Sequence, residues 1–311
     1  GNANSRHQAG AAAKTAIDEA TQSIARSLHV QPAEIIYTSG ASEANNFALK
    51  SIARLERHHG RHIISTPLEH SSVSGTLTAL QEQGYEIDLV DIKQDGTVDL
   101  AHLRELLRPD TILVSIMLVN NELGTILPVA ETARVLKEAG SGVLLHCDGV
   151  QGFLKVPFTP KELGVDMLSI SGHKIHAPKG IGALYLSDRV VQAFQPPYLG
   201  GEQEREMRPG TENLPYAMGL AAAATRLAKT MKSRDTAVRT LNARLREGLK
   251  AFPEVVLNSP ENAVPEVLNF SENCIKSETM LAYLAEEQIY VSSASACGRG
   301  QPSHTLAAMG R

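Results

Sequence analysis

The sequence predicts an α/β fold, in which a mostly parallel sheet is covered by helices on both faces and a smaller α+β C-terminal domain follows. Three observations carry this. Helical and strand patterns alternate up to Pro215, the strands are continuous apolar runs, and the texture changes beyond that proline. Continuous apolar strands suit a sheet buried on both faces, and the helices between them supply the covering layers.

Residues 11–28 form an alanine-rich amphipathic pattern that stops before the polar His29-Val-Gln-Pro32. Residues 34–38 read as a strand, and Ser39-Gly-Ala-Ser-Glu43 opens a helix that runs to residue 55. A strand at 62–65, a helix at 71–83 and a strand at 86–90 follow. Next come a helix at 100–107, a nearly all-apolar strand at 111–119 and a helix at 129–139. The strand at 143–146 runs into Asp148, and strands at 167–170 and 182–186 flank a polar turn. Beyond Pro215 a long helix over 216–252, broken near Ser233, leads to strands at 267–271 and 289–292. A boundary near residue 225 divides a large domain, 1–225, from a small one, 226–311. Both ends read as cut: the chain opens in the loop-like Gly1-Asn-Ala-Asn-Ser5 and stops just after a helical stretch.

Composition excludes several classes of function. The chain is 42% hydrophobic and 21% charged, the balance of a globular enzyme rather than a disordered chain. A net charge of -4 with no basic run gives nucleic acid nothing to bind. The apolar stretches are too short to span a membrane, and no charged-then-apolar leader opens the chain. Three widely spaced cysteines fit a reducing compartment, so a cytoplasmic location is expected. The histidines at 58, 59 and 62 read as a solvated turn into a strand, and no metal site is expected.

Ligands of parallel sheets bind where the loops after the strands converge, so the polar residues there are the candidates. Foremost is the stretch Ser169-Ile-Ser-Gly-His-Lys-Ile-His-Ala-Pro178. A lysine between two apolar strands reads either as a surface charge or as a buried amine, and a buried amine is costly unless neutralised. One solution is a Schiff base with an aldehyde cofactor. Ser39-Gly-Ala-Ser42 reads as plain helix capping or as a phosphate cradle. Asp148 is a turn acid, or the partner of a pyridine nitrogen, with Gln151 three residues on. His70 is a cap, or a flat ring stacked on a flat cofactor, and Asn121 is placed to reach a substrate carboxylate or a ring oxygen. Cys297 lies among small and polar residues with Arg299 nearby, a setting that favours a thiolate; Cys147 reads as core and Cys274 as loop.

Taken together, Thr38-Ser-Gly-Ala-Ser-Glu43, Glu69-His70, Asn120-Asn-Glu122 with Gly124, Asp148 with Gln151, Ser171-Gly-His-Lys174, Arg208-Pro-Gly-Thr-Glu-Asn213 and Ser292 to Cys297 resemble the NifS/IscS cysteine desulfurases. These belong to the class V aminotransferases, which are fold-type I enzymes dependent on pyridoxal 5'-phosphate (PLP). The resemblance implies that Lys174 forms the Schiff base and later moves the α-proton. It implies that Asp148 pairs with the ring nitrogen, that Gln151 bonds the ring hydroxyl and that His70 stacks on the ring. Ala41, Ser42, Ser171 and His173 would hold the phosphate, with Thr211 supplied by the other subunit of a homodimer. Asn121 would orient the substrate, L-cysteine. Cys297 would take its sulfur as a persulfide, leaving alanine, and pass it to an acceptor protein for iron–sulfur cluster assembly or thiolation. The family's opening Asp-Asn-Ala-Ala-Thr-Thr-like motif and its later carboxylate-binding arginine have no counterpart here. The loop after Cys297 is shorter than in long-loop members, and Ala294 replaces their usual glycine. A selenocysteine lyase, another aminotransferase of the class, or a non-catalytic PLP-binding homologue would share most of these residues.

Overall fold

A computed structural model describes residues 1–140, 142–272, 274–293 and 303–310. In chain order the first part comprises α1 (Gln8–Leu28), β1 (Ile35–Thr38), α2 (Ala41–Glu56), β2 (His62–Ser65), α3 (Ser71–Gln81), β3 (Glu86–Leu89), α4 (Leu100–Leu106) and β4 (Thr111–Ser115). It continues through α5 (Val129–Glu138), β5 (Leu144–Asp148), α6 (Pro160–Leu163), β6 (Met167–Ser171), β7 (Gly182–Leu186), α7 (Asp188–Val191) and α8 (Leu214–Leu249). After it come β8 (Val255–Leu257), β9 (Phe270–Glu272), α9 (Ser277–Glu286) and α10 (His304–Ala308).

The first seven strands form one sheet in the order β1-β7-β6-β5-β4-β2-β3. β7 is antiparallel to both of its neighbours, and the remaining pairings are parallel. β1, β2, β4, β5 and β6 therefore all point the same way, and the loops after them meet at one edge of the sheet.

Side chains alternate across a strand, so the central strands feed two cores. Ile35 and Tyr37 face α1, α5 and α8, whereas Ile36 faces α2 and α3. On β5, Leu145 and Cys147 join the first core and Leu144 the second. By the same parity, His146 and Asp148 stand on the α2 side, as do Ser169 and Ser171 on β6. His146 is fully buried there, between Ser115 Oγ at 2.9 Å and Ser169 Oγ at 3.1 Å. Burial pushes its pKa down to about 3, so it is a neutral cross-strand tie.

The structure amends several expected elements. β4 ends at Ser115 rather than at residue 119. Ile116 and Leu118 still donate to the carbonyls of His146 and Asp148, but the Met117 N–H turns to the Glu69 carboxyl. α8 is continuous, with no break at Ser233, whose hydroxyl bonds back to the Thr230 carbonyl at 3.0 Å. Of the strand expected at 267–271 only residues 270 and 271 lie in β9, and residues 289–292 form no strand. α9 was not expected, and none of its residues is buried.

Candidate active site

Asp148 ends β5, buried on the side facing α2. Its Oδ2 accepts from Asn45 Nδ2 at 2.8 Å and its Oδ1 from the Val150 N–H at 3.0 Å. Burial lifts the carboxyl above its usual range, opposed by those two bonds and by the fields of His70 and Lys174. Asn45, fully buried on α2, gives its other hydrogen to Ser72 Oγ at 2.9 Å. Ser72 Oγ in turn lies 2.8 Å from His70 Nδ1. His70 also caps α3 by accepting from the Ser72 N–H. One chain of hydrogen bonds thus fixes the acid and the flat ring together.

The second group lies at the ends of β1 and β6. Gly40 precedes α2 with φ 150, and a Cβ built there would meet only Ser171 Oγ, at 3.8 Å. The loop is held close by Gly182, where a Cβ would fall 2.6 Å from the Ile170 carbonyl and 2.8 Å from Gly40 Cα. The first N–H groups of α2, from Ala41 and the exposed Ser42, have no intrahelical acceptor and face an anion favourably. Ser171 Oγ lies 2.8 Å from His173 Nδ1. Desolvation, then the charges of Lys174, Lys179 and His70, hold the His173 imidazole below its ordinary pKa.

Lys174 sits in the short 3-10 turn Gly172–Ile175, which His176 closes in the left-handed region (φ 61). It is exposed, contrary to the reading as a buried amine. The turn lifts residues 173 and 174 off the sheet, so no desolvation forces the lysine into a covalent link. Its charge nevertheless acts on Asp148, His173 and Lys155.

Glu69 is a further acid of the site, and its surroundings could not be read from sequence. It is 1% exposed, and its Oε1 accepts from the Met117 N–H at 2.8 Å and Thr66 Oγ1 at 3.0 Å. Among the described residues its Oε2 has no partner. Burial, then the charge of Asp148, push its pKa from 4.5 up to about 8. The folded value exceeds the unfolded one, so this stabilisation is full below about pH 4.5 and lost as pH rises towards 8. Glu69→Gln is expected to flatten the fall of melting temperature across that window, a difference on the order of a few kcal/mol. Parallel melting curves for the two proteins against pH would refute a buried, proton-holding Glu69.

The remaining expected residues are placed as follows. Asn121 is half-buried beside Asn120, whose Oδ1 caps the turn by accepting from Glu122 and Leu123 N–H at 2.9 and 2.8 Å. Gln151 is half-buried, and its Oε1 accepts from Lys155 Nζ at 2.8 Å. Thr211 is exposed in the loop before α8. Cys297 and its loop lie outside the described residues. Cys147 is core and Cys274 an exposed loop residue, as expected. Sequence reasoning passed over Asn45, Ser72 and Lys155, and also the Glu43–Arg208 pair (3.0 Å), which ties the start of α2 to the loop before α8. Burial opposes ionisation of Glu43, but the bonds from Arg208, Ser39 and Tyr198 win and hold its carboxyl low. No His/Cys/Asp/Glu cluster fit for a metal occurs among the described residues, and no described helix is long and apolar enough to cross a membrane.

The aminotransferase class-V family matches residues 1–311. The probable mitochondrial cysteine desulfurase of Schizosaccharomyces pombe is 38% identical over 315 residues, covering 100% of this chain and 62% of that protein. The cysteine desulfurase IscS of Dictyoglomus turgidum is 39% identical over 313 residues, covering 99% of this chain and 78% of that one. Among solved structures, a NifS-like protein superposes with a TM-score of 0.94 at 36% identity, covering 100% of this chain and 82% of the other. SspA in complex with cysteine superposes with a TM-score of 0.85 at 32% identity, covering 100% and 87%. The chain thus spans about six tenths of the fission-yeast relative's length.

Proposed function

The chain belongs to the class-V aminotransferase family, and from that membership we propose that it is a PLP-dependent cysteine desulfurase. It would convert L-cysteine to L-alanine and take the sulfur onto Cys297 as a persulfide. One observation carries the reading: Asp148, tied through Asn45 and Ser72 to His70, lies within the field of Lys174.

The residues present fit PLP. The Gly40 corner leaves space beside Ser171 Oγ and free N–H groups at the start of α2, which suits a phosphate. Ala41, Ser42, Ser171 and His173 would hold it there. Asp148 is a buried carboxyl whose charge a protonated pyridine nitrogen would neutralise. His70 offers a ring held at Nδ1, and Lys174 an accessible amine for the covalent anchor. When bound, PLP supplies an electron-withdrawing ring that accepts the charge released at the substrate's carbon.

Each residue then has a task. Asp148 keeps a proton on the ring nitrogen, Gln151 donates to the ring hydroxyl, and Asn121 orients the substrate. Lys174 moves the α-proton. The Cys297 thiolate attacks the substrate sulfur, forming the S–S bond as the carbon–sulfur bond breaks. Thr211 would complete the phosphate site of the neighbouring subunit in a homodimer, and an acceptor protein would discharge the persulfide. We also place the division between the large and small domains near residue 225, because the last buried residue of α8 is Ala224. The cytoplasm is the proposed compartment, since a working thiol needs reducing surroundings.

Cys297→Ala tests the persulfide step. Alanine release from L-cysteine is expected to fall at least about 100-fold while the visible PLP absorbance stays. Undiminished alanine and sulfide production would overturn the step and favour a selenocysteine lyase or an aminotransferase of the same class.

A further inference from the structure

We propose that Lys155 is a positioning residue that aims the Gln151 amide, fixing its NH2 group towards the ligand and so selecting an anionic acceptor oxygen there. The proposal deepens the reading of the site given above and rests on Gln151 meeting the cofactor ring. After β5 the backbone coils tightly: Gly152 and Phe153 donate to the Gly149 carbonyl, and Lys155 and Val156 to that of Gly152. Gln151 and Lys155, four residues apart, thereby come side by side, with Lys155 Nζ 2.8 Å from Gln151 Oε1.

An ammonium only donates hydrogen bonds. The atom that faces it must be the amide oxygen, so the NH2 group points the other way. With Lys155 in place, Gln151 is a donor of set direction; without it, the amide is free to turn and offer either end. Such a donor favours an oxygen that carries negative charge and disfavours a neutral donor group at the same point.

The charges around Lys155 agree with an anionic ligand. Burial lowers its pKa most; Lys174, on the turn after β6, and Arg234, on α8, lower it further, while Glu266, before β9, raises it. An anionic oxygen on the Gln151 side would join Glu266 in favouring the charged form of Lys155.

The test has two parts on the full chain. In the protein without PLP, the Gln151 side-chain amide resonance, assigned by its loss in Gln151→Ala, should shift in Lys155→Met and stay near its original position in Lys155→Arg. An unmoved resonance in Lys155→Met overturns the proposal whether or not the protein binds PLP. In the second part, Lys155→Met should weaken PLP binding about tenfold, the scale of one bond to a charged oxygen, and Lys155→Arg should restore most of it. On a Gln151→Ala background, Lys155→Met should add less than about twofold to the dissociation constant. The pH titration of the visible PLP band should move in Lys155→Met and Gln151→Ala alike. Equal weakening with and without Gln151 would mean that Lys155 acts by charge or packing and not through the amide. Absence of PLP binding by the wild-type chain would refute the proposed function, and the resonance would still decide the aim of Gln151.

Discussion

Lys174→Ala is expected to abolish covalently held PLP and to slow alanine formation from L-cysteine by at least about 10⁴-fold. Lys174 carries an accessible amine on a 3-10 turn, and its field reaches Asp148, His173 and Lys155. Lys155 cannot replace it, because its amine is half-buried and engaged with Gln151. Lys174→Arg separates two roles, since it keeps a positive charge beside Asp148 but has no amine able to condense with an aldehyde. Both variants should lack the borohydride-reducible adduct, and their melting temperatures should stay close to wild type because the side chain is exposed. A reducible adduct retained in Lys174→Ala would refute the assignment.

Asp148→Asn is the second large effect. The amide keeps the volume and still accepts a hydrogen bond, but it no longer holds a proton on a ring nitrogen. Turnover is expected to drop about 100- to 1000-fold while PLP remains covalently bound. Loss of the Asp148 charge also removes a cause of the raised Glu69 pKa, so that carboxyl should ionise at lower pH than in wild type. Stability should not fall much, because the change leaves one buried charge fewer beside Glu69. Unchanged turnover on L-cysteine, with the visible band titrating as in wild type, would remove Asp148 from the chemistry.

The parallel sheet was legible because its strands are continuous apolar runs ended by polar turns. Asp148, His70 and Lys174 were legible because each follows such a run. Their partners were not. Asn45 is one of several polar residues of α2, and only the placing of β5 beside α2 gives it Asp148, 103 residues away. Glu69 meets the Met117 N–H 48 residues on, and the same bond draws the chain off β4 early. The expected cost of a buried amine at Lys174 was misplaced. The turn closed by the left-handed His176 exposes the amine, so its function rests on its neighbours and not on burial. α8 was read as broken because a serine that bonds back to the helix resembles a cap.

In the proposed reaction one amine, that of Lys174, and one thiol, that of Cys297, work on the same substrate. Its most direct test is a mass spectrum of the full chain, incubated with PLP and L-cysteine and digested after borohydride reduction of one portion. Reduced PLP is expected on the Lys174 peptide and, in the unreduced portion, one additional sulfur atom on Cys297. PLP on Lys155 or on no lysine, or a Cys297 peptide without added sulfur while alanine accumulates, would contradict it.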